Sequence, residues 1–161
     1  MTMPKVELQK EHEWLQILVG EWVMDDSAAM SSGQPGCTWT ESVRSLHGVW
    51  ILGEGRGEMP GGGAATTMLT LGYDPQKERF VGTWIGSMMT HLWIYEGTLD
   101  EAGKVLTLNC EGPDMTTPGK MAKYRDVIEL ESNDHRVLTS QVLGEDGEWR
   151  EFMTAHYRRK K

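Results

Sequence analysis

The stretch that decides the fold is Lys5–Trp22, KVELQKEHEWLQILVGEW. Leu8, His12, Leu15 and Leu18 recur along one helical face, with Trp14 and Ile17 beside them. Lys5, Glu7, Lys10, Glu11 and Glu13 fall on the opposite, wet side. Gly20 stands where glycine commonly ends a helix, just past its last turn. The spacing predicts a helix over residues 5–19. After Gly20 the apolar period changes to two, and no second helical stripe follows. A helix that runs into Gly20-Glu21-Trp22 and then a strand meander describes a small barrel with an N-terminal plug. A barrel of that kind is a container.

Working outward, strands are expected over 21–30, 37–46, 49–59, 66–73, 79–85 and 90–99, then over 105–110, 121–131, 136–143 and 149–158. Turn chemistry separates them: His47-Gly48, Pro60-Gly61-Gly62-Gly63, Asp74-Pro75, Asp100-Glu101-Ala102-Gly103 and Asp146-Gly147. Strands at this spacing belong to a sandwich or barrel. With no crossover helix the sheet is antiparallel, and a sheet this large escapes its edge problem by closing. The expected fold is all-β, a closed antiparallel up-and-down β-barrel of about ten strands. It forms one domain over 1–161, with the helix at 5–19 and strands over 20–158.

Composition narrows the partners. The net charge of -8 argues against a nucleic-acid surface. The one basic run, Arg158-Arg159-Lys160-Lys161, reads as a solvated tail. No apolar run approaches the ~20 residues of a membrane span, so no membrane partner is expected. The N-terminus lacks the basic and apolar regions of a secretion signal, and Cys37 and Cys110 match no metal spacing. Together these point to a cytoplasmic protein. A homodimer is compatible with the chain, but no sequence feature demands one.

Further motifs resemble a known family. Trp14-Leu15-x-x-Leu18-Val19-Gly20-Glu21-Trp22 resembles the opening of the DUF1579 family, a domain of unknown function. Leu71-Gly72-Tyr73-Asp74-Pro75, Phe80-Val81-Gly82-Thr83-Trp84, Glu96-Gly97-Thr98-Leu99-Asp100 and Tyr157-x-Arg159 fit it as well. The resemblance covers nearly the whole chain. It implies a lipocalin-like, or calycin, barrel and implies no activity. It also implies that Trp22 closes the barrel floor under the helix. Members often carry an Asp two residues after the tryptophan matched by Trp84, where this chain has Gly86. Barrels of the nitrobindin type bind haem through a histidine near the C-terminus, which makes the direction of His156 informative. No cofactor is otherwise implied.

Candidate binding residues come from two stretches. Gly53-Glu54-Gly55-Arg56-Gly57 alternates glycine with charge. It lacks the following helix of a phosphate loop. Either its glycines leave space inside the barrel, or they face out and Glu54 and Arg56 line the interior. Trp84 to Tyr95 gathers Trp84, Met88, Met89 and Trp93, which suit a pocket for an apolar ligand and equally suit a plain core. His91, Trp93 and Tyr95 share one strand face; Leu92 and Ile94 share the other.

Glu41, Glu54, Glu96 and Arg125 are ionisable groups that would orient a ligand or act as acid and base if they converge inside. The bland expectation is that strand charges such as Arg125-Asp126, Glu129 and Glu131 face water. No histidine pair has ligand spacing, so any metal site would be assembled across strands. No nucleophile motif is present.

The leading expectation is a barrel that encloses a small, mostly apolar molecule. Glu41, Glu54, Trp84, Met88, Met89, Trp93 and Arg125 are the binding residues. The rivals are a hydrolase or isomerase acting on a small organic substrate, and a structural or assembly module with no ligand.

Overall fold

The computed structural model describes residues 2–25, 39–58 and 62–160. One helix, α1 (Lys10–Gln16), precedes ten strands: β1 (Gly20–Met24), β2 (Trp39–Leu46), β3 (Trp50–Glu58), β4 (Ala64–Asp74), β5 (Arg79–Gly86), β6 (Trp93–Leu99), β7 (Val105–Pro113), β8 (Met121–Ser132), β9 (His135–Leu143) and β10 (Trp149–Arg159). Each strand pairs antiparallel with its neighbour in sequence, and β1 pairs with β10 through Trp22↔Arg159, Val23↔Arg158 and Met24↔Tyr157. The barrel is thus a closed up-and-down meander, as the strand spacing predicts. Its expected turns form where the sequence places them: His47 and Gly48 both take positive φ, and the Asp74 carboxylate accepts from the Gln76 and Lys77 amides. The expected extension of the first strand to Met30, the following turn, Cys37, and Met59 to Gly61 lie outside the described residues.

The helix differs from its expected span. It begins at Lys10 because Gln9 is extended and closes a capping box with His12. Val6 and Leu8, inside the expected span, are exposed, and Leu8, which opens the apolar stripe, lies against the β2–β3 turn at Gly48. Residues 17–19 continue as a tight turn in which each amide donates three residues back. From the helix and the turn after it, His12, Trp14, Leu15 and Leu18 are buried in the barrel end.

That end is a solid floor. Trp22, Phe80, Leu15, Ile51, Leu71, Leu106 and Leu108 are fully buried, each such side chain contributing about 1.5–3 kcal/mol. Most polar atoms in the floor are partnered, while Gln16 Nε2 on α1 is buried without a hydrogen-bond partner among the described residues. Trp14 Nε1 donates to Gly103 O at 2.7 Å and Trp22 Nε1 to Leu18 O at 2.9 Å. The Gln9 amide donates to His12 Nδ1, which leaves Nε2 as the protonated nitrogen, 3.1 Å from Tyr73 O. Trp22 does close the floor beneath the helix.

Arg159 corrects the solvated-tail expectation. Its guanidinium stacks on Trp22 at 4.3 Å and donates to Val19 O, Ile17 O and Asn133 O. Carbonyls left over at the end of a helix attract a cation, and the bare Gly20 makes room for it.

Candidate functional site

Strand alternation becomes a direction once the barrel closes. On β3 the inward positions are Ile51, Gly53, Gly55 and Gly57, so the glycines face the interior and Glu54 and Arg56 face out, where they pair at 3.2 Å. On β6 the inward face is Trp93, Tyr95, Gly97 and Leu99; Ile94, 64 % exposed, faces out. Several inward residues at the end away from the helix are only partly buried, Trp39, Leu69, Trp84, Trp93 and Cys110 among them, while Ala65, Thr67 and Tyr124 are buried. This end is the mouth.

Three inward tryptophans lie against glycines there. A side chain at Gly55 would meet the Trp39 indole at 3.0 Å, one at Gly86 would meet Trp84 at 3.0 Å, and one at Gly112 would overlap the Trp93 ring. The Trp93 ring fills the space at Gly112, whereas Trp39 shares the space at Gly55 with Thr67 Oγ1 and Trp84 shares that at Gly86 with Met88 Sδ. Trp93 Nε1 donates to Met89 Sδ at 2.9 Å, and its ring packs edge-on against Tyr124 at 5.1 Å.

Below the tryptophans lies a polar band. Arg136, 4 % exposed, donates to Glu41 Oε1 across the barrel and packs between the Trp22 and Tyr157 rings at 4.8 and 4.3 Å. Arg136 Nε is sealed without a partner among the described residues. The Tyr95 hydroxyl donates to Asp126 Oδ2, and the Ser140 hydroxyl donates to Asp126 Oδ1 at 2.6 Å. Burial raises the Asp126 carboxyl above its ordinary value, and the two hydroxyl donors partly offset that. Burial, then the Asp126 charge beside it, pushes the Tyr95 hydroxyl well up. Burial and the neighbouring Asp126 push the Cys110 thiol up to about 12, so it is a poor nucleophile. Tyr157 rises through burial and then the charge of Glu41.

Of the residues expected to bind, Glu41, Trp84 and Trp93 face the interior, and Met89 supports Trp93. Met88 sits at the rim beside Gly86, partly exposed. Glu54 and Arg125 do not join them. Arg125 lies on the outer face, donates to Gln141 and stacks on Trp149 at 4.2 Å. Glu96 is exposed and also points out. Asp126 corrects the expectation that its charge faces water: alternation from buried Tyr124 turns it inward while Arg125 turns outward. His156 faces out and its Nδ1 lies 2.9 Å from His135 Nε2, so it offers no ligand to the interior. Among the described residues no three His, Cys, Asp or Glu side chains gather as a metal site would need.

Trp39, Arg136 and Ser140 are not among the residues expected from the sequence, Tyr95 appears there only as a face-mate of Trp93, and Asp126 only as a charge expected to face water. Alternation from Trp39 to Glu41, from Trp93 to Tyr95 and from Tyr124 to Asp126 signals three of the five.

The family model described as "Protein of unknown function (DUF1579)" matches residues 7–159. A search of the curated proteins finds no match. No helix among the described residues is long and apolar enough to cross a membrane.

Proposed function

The chain belongs to the DUF1579 family, whose description assigns no function, and from the geometry of this member we propose that it holds a small, mostly apolar molecule in the barrel mouth. The observation that carries this is vertical. Three inward tryptophans, partly reached by solvent, stand above a buried polar band, while the floor below is closed by fully buried apolar side chains. An apolar wall over a few fixed polar groups is the usual make-up of a small-molecule site. The mechanism is encapsulation: Trp39, Trp84 and Trp93 cover the apolar body, and Glu41 orients a polar head. Met88 and Met89 adapt the rim to irregular shapes. The outer-facing Glu54 and Arg125 take no part.

Titration with N-phenyl-1-naphthylamine, whose fluorescence rises in apolar surroundings, tests this directly. Saturable uptake by the wild type, reduced at least about tenfold in Trp93→Ala, is the expected result. Native mass spectrometry of gently purified protein should show an added mass of a few hundred daltons, on the order of one small ligand. Failure of both measurements would leave the barrel as a core only.

A second reading, a hydrolase or isomerase working on the held molecule, is favoured by the Tyr95–Asp126–Ser140 chain. A buried carboxyl with a raised proton affinity and a hydroxyl on each oxygen is fitted to hold or pass a proton. Asp126→Asn would then keep uptake of the probe and lose turnover of the co-purified molecule.

A further inference from the structure

Away from the mouth, a cavity of about 160 Å³ opens to solvent at the closed end of the barrel. Three parts of the chain line it. Glu11 comes from α1, Tyr73, Glu78 and Phe80 from the β4–β5 hairpin, and Thr98 and Leu99 from the end of β6. We propose that this cavity is a second binding site, for the planar cationic head, guanidinium or amidinium, of a small free molecule.

The apolar side of the cavity is an extension of the floor. Tyr73 packs edge-on against Phe80 at 5.0 Å and against His12 at 5.7 Å. Phe80 is buried, while Tyr73 and Leu99 keep part of their surface exposed.

The polar side carries charge of one sign. Glu11 and Glu78 are the ionised side chains of the lining, and neither carboxylate has a hydrogen-bond or salt-bridge partner among the described residues. Both are felt at one point. The Tyr73 hydroxyl is raised first by burial, then by the charge of Glu11 and then by that of Glu78. Arg79 stands outside the lining with Nη1 on Glu78 O at 2.9 Å, and its opposing influence on Tyr73 is smaller than that of either glutamate. Asp74 adds a further negative contribution. The Tyr73 and Thr98 hydroxyls donate or accept equally well, so they do not set the sign of a ligand.

Two unpaired carboxylates call for a positive group with several N–H donors. A guanidinium or amidinium presents such donors in one plane and also lies well against an aromatic ring. An anionic head would meet two like charges. The volume is close to the roughly 150 Å³ of an apolar cavity that takes up one benzene, so it suits one head with one small ring. Glu78 holds its place with φ 53, a left-handed backbone in which glycine is the easier residue. A glycine there would relax the turn and remove half the charge of the site.

Isothermal titration at neutral pH and low salt with three probes on one phenyl ring tests the head alone: benzamidine, its uncharged analogue benzamide, and benzoate. Benzamidine is expected to bind at least about tenfold tighter than benzamide, and benzoate more weakly than either. Glu11 is half-buried and Glu78 exposed, so their Gln variants should fold. Each should weaken benzamidine at least about threefold and the two together at least about tenfold, with benzamide unchanged. Glu13→Gln removes an equal charge from the exposed side of α1 and should leave all three affinities as they are. Glu78→Gly separates binding from folding: without ligand it should melt higher than the wild type, and yet lose benzamidine as Glu78→Gln does.

Equal affinities for benzamidine and benzamide would overturn the proposal. So would unchanged benzamidine binding in the double Gln variant, or an equal loss in Glu13→Gln. Benzamidine that displaces N-phenyl-1-naphthylamine would put the cation in the mouth and overturn it as well. Tighter binding of N-acetyl-arginine amide than of benzamidine would keep the head and move its source from a free molecule to a protein side chain.

Discussion

At the floor, Trp22 lies between the guanidinium groups of Arg136 and Arg159 with none of its surface exposed; at the mouth, Trp39, Trp84 and Trp93 lie against glycines and keep part of their surface in water. The residue type is the same and the neighbours differ. In the floor, charge and backbone hold the indole from every side. In the mouth, an absent side chain makes room for it and part of its surface stays accessible. One region spends its tryptophan on stability, and the other keeps tryptophan surface available for a visitor.

The sharpest way to break that comparison is to truncate one tryptophan from each region. Trp22→Ala empties a fully buried site and strands two cations, so it should cost about 3–5 kcal/mol in denaturant unfolding. Trp93→Ala removes a partly buried ring and should cost roughly 1–2 kcal/mol, with the loss appearing in probe uptake instead. Equal stability losses would erase the distinction between floor and mouth. Arg136→Met tests the boundary between them. It leaves Glu41 buried without its counter-charge and should cost about 3–5 kcal/mol, while Glu41→Gln combined with Arg136→Met should recover a good part of that. A double variant no better than the single would mean that the Trp22 and Tyr157 stacking, and not the charge pair, holds the band together.

The glycines repeat the contrast at smaller scale. A methyl group on Gly97 would overlap the Thr107 carbonyl, and one on Gly82 the Thr70 carbonyl; both are backbone, which cannot swing aside. At Gly112 the obstacle is the far end of the Trp93 ring, which can turn. Gly97→Ala should therefore destabilise by about 3 kcal/mol and Gly112→Ala by about 1 kcal/mol or less, measured by thermal or chemical unfolding. If Gly112→Ala proved as damaging as Gly97→Ala, the mouth would be as rigid as the floor.

The two regions also differ in how far the sequence reveals them. The floor and the barrel are legible because their signals are local: the Leu15/Leu18 stripe, Gly20-Glu21-Trp22, and turn residues at His47-Gly48 and Asp74-Pro75. The polar band is not local. Arg136 and Glu41 are 95 residues apart, and Tyr95 and Asp126 are 31 apart, so no window of sequence shows either pair. Alternation supplies two faces for each strand and does not say which is inside. Gly53-Glu54-Gly55-Arg56 therefore leaves Glu54 as a fair candidate until closure turns the glycines inward, and Arg125 is lost in the same way while its neighbour Asp126 is gained. The helix is overestimated for a related reason: Leu8 keeps the apolar period of the stripe but stays exposed, and burial on that stripe begins only at His12.

The smallest effect is the most specific to the polar band. Asp126 has a raised proton affinity in the folded protein, above the ordinary 3.8, chiefly because burial disfavours its charged form. A carboxyl with a raised folded value binds its proton more tightly folded than unfolded. Its stabilising contribution is therefore complete below 3.8 and is lost as pH rises through the raised folded value. Asp126→Asn keeps an acceptor for the Tyr95 hydroxyl and carries no charge, so it has no such loss. Across the mildly acidic range the wild type should lose melting temperature relative to Asp126→Asn as pH increases, and at neutral pH the two should differ by no more than about 1 kcal/mol. Other carboxylates titrate in both proteins and cancel in the difference. A difference that stays flat with pH would mean that Asp126 is as well solvated as a surface carboxylate, and the mouth would then be wet down to the floor.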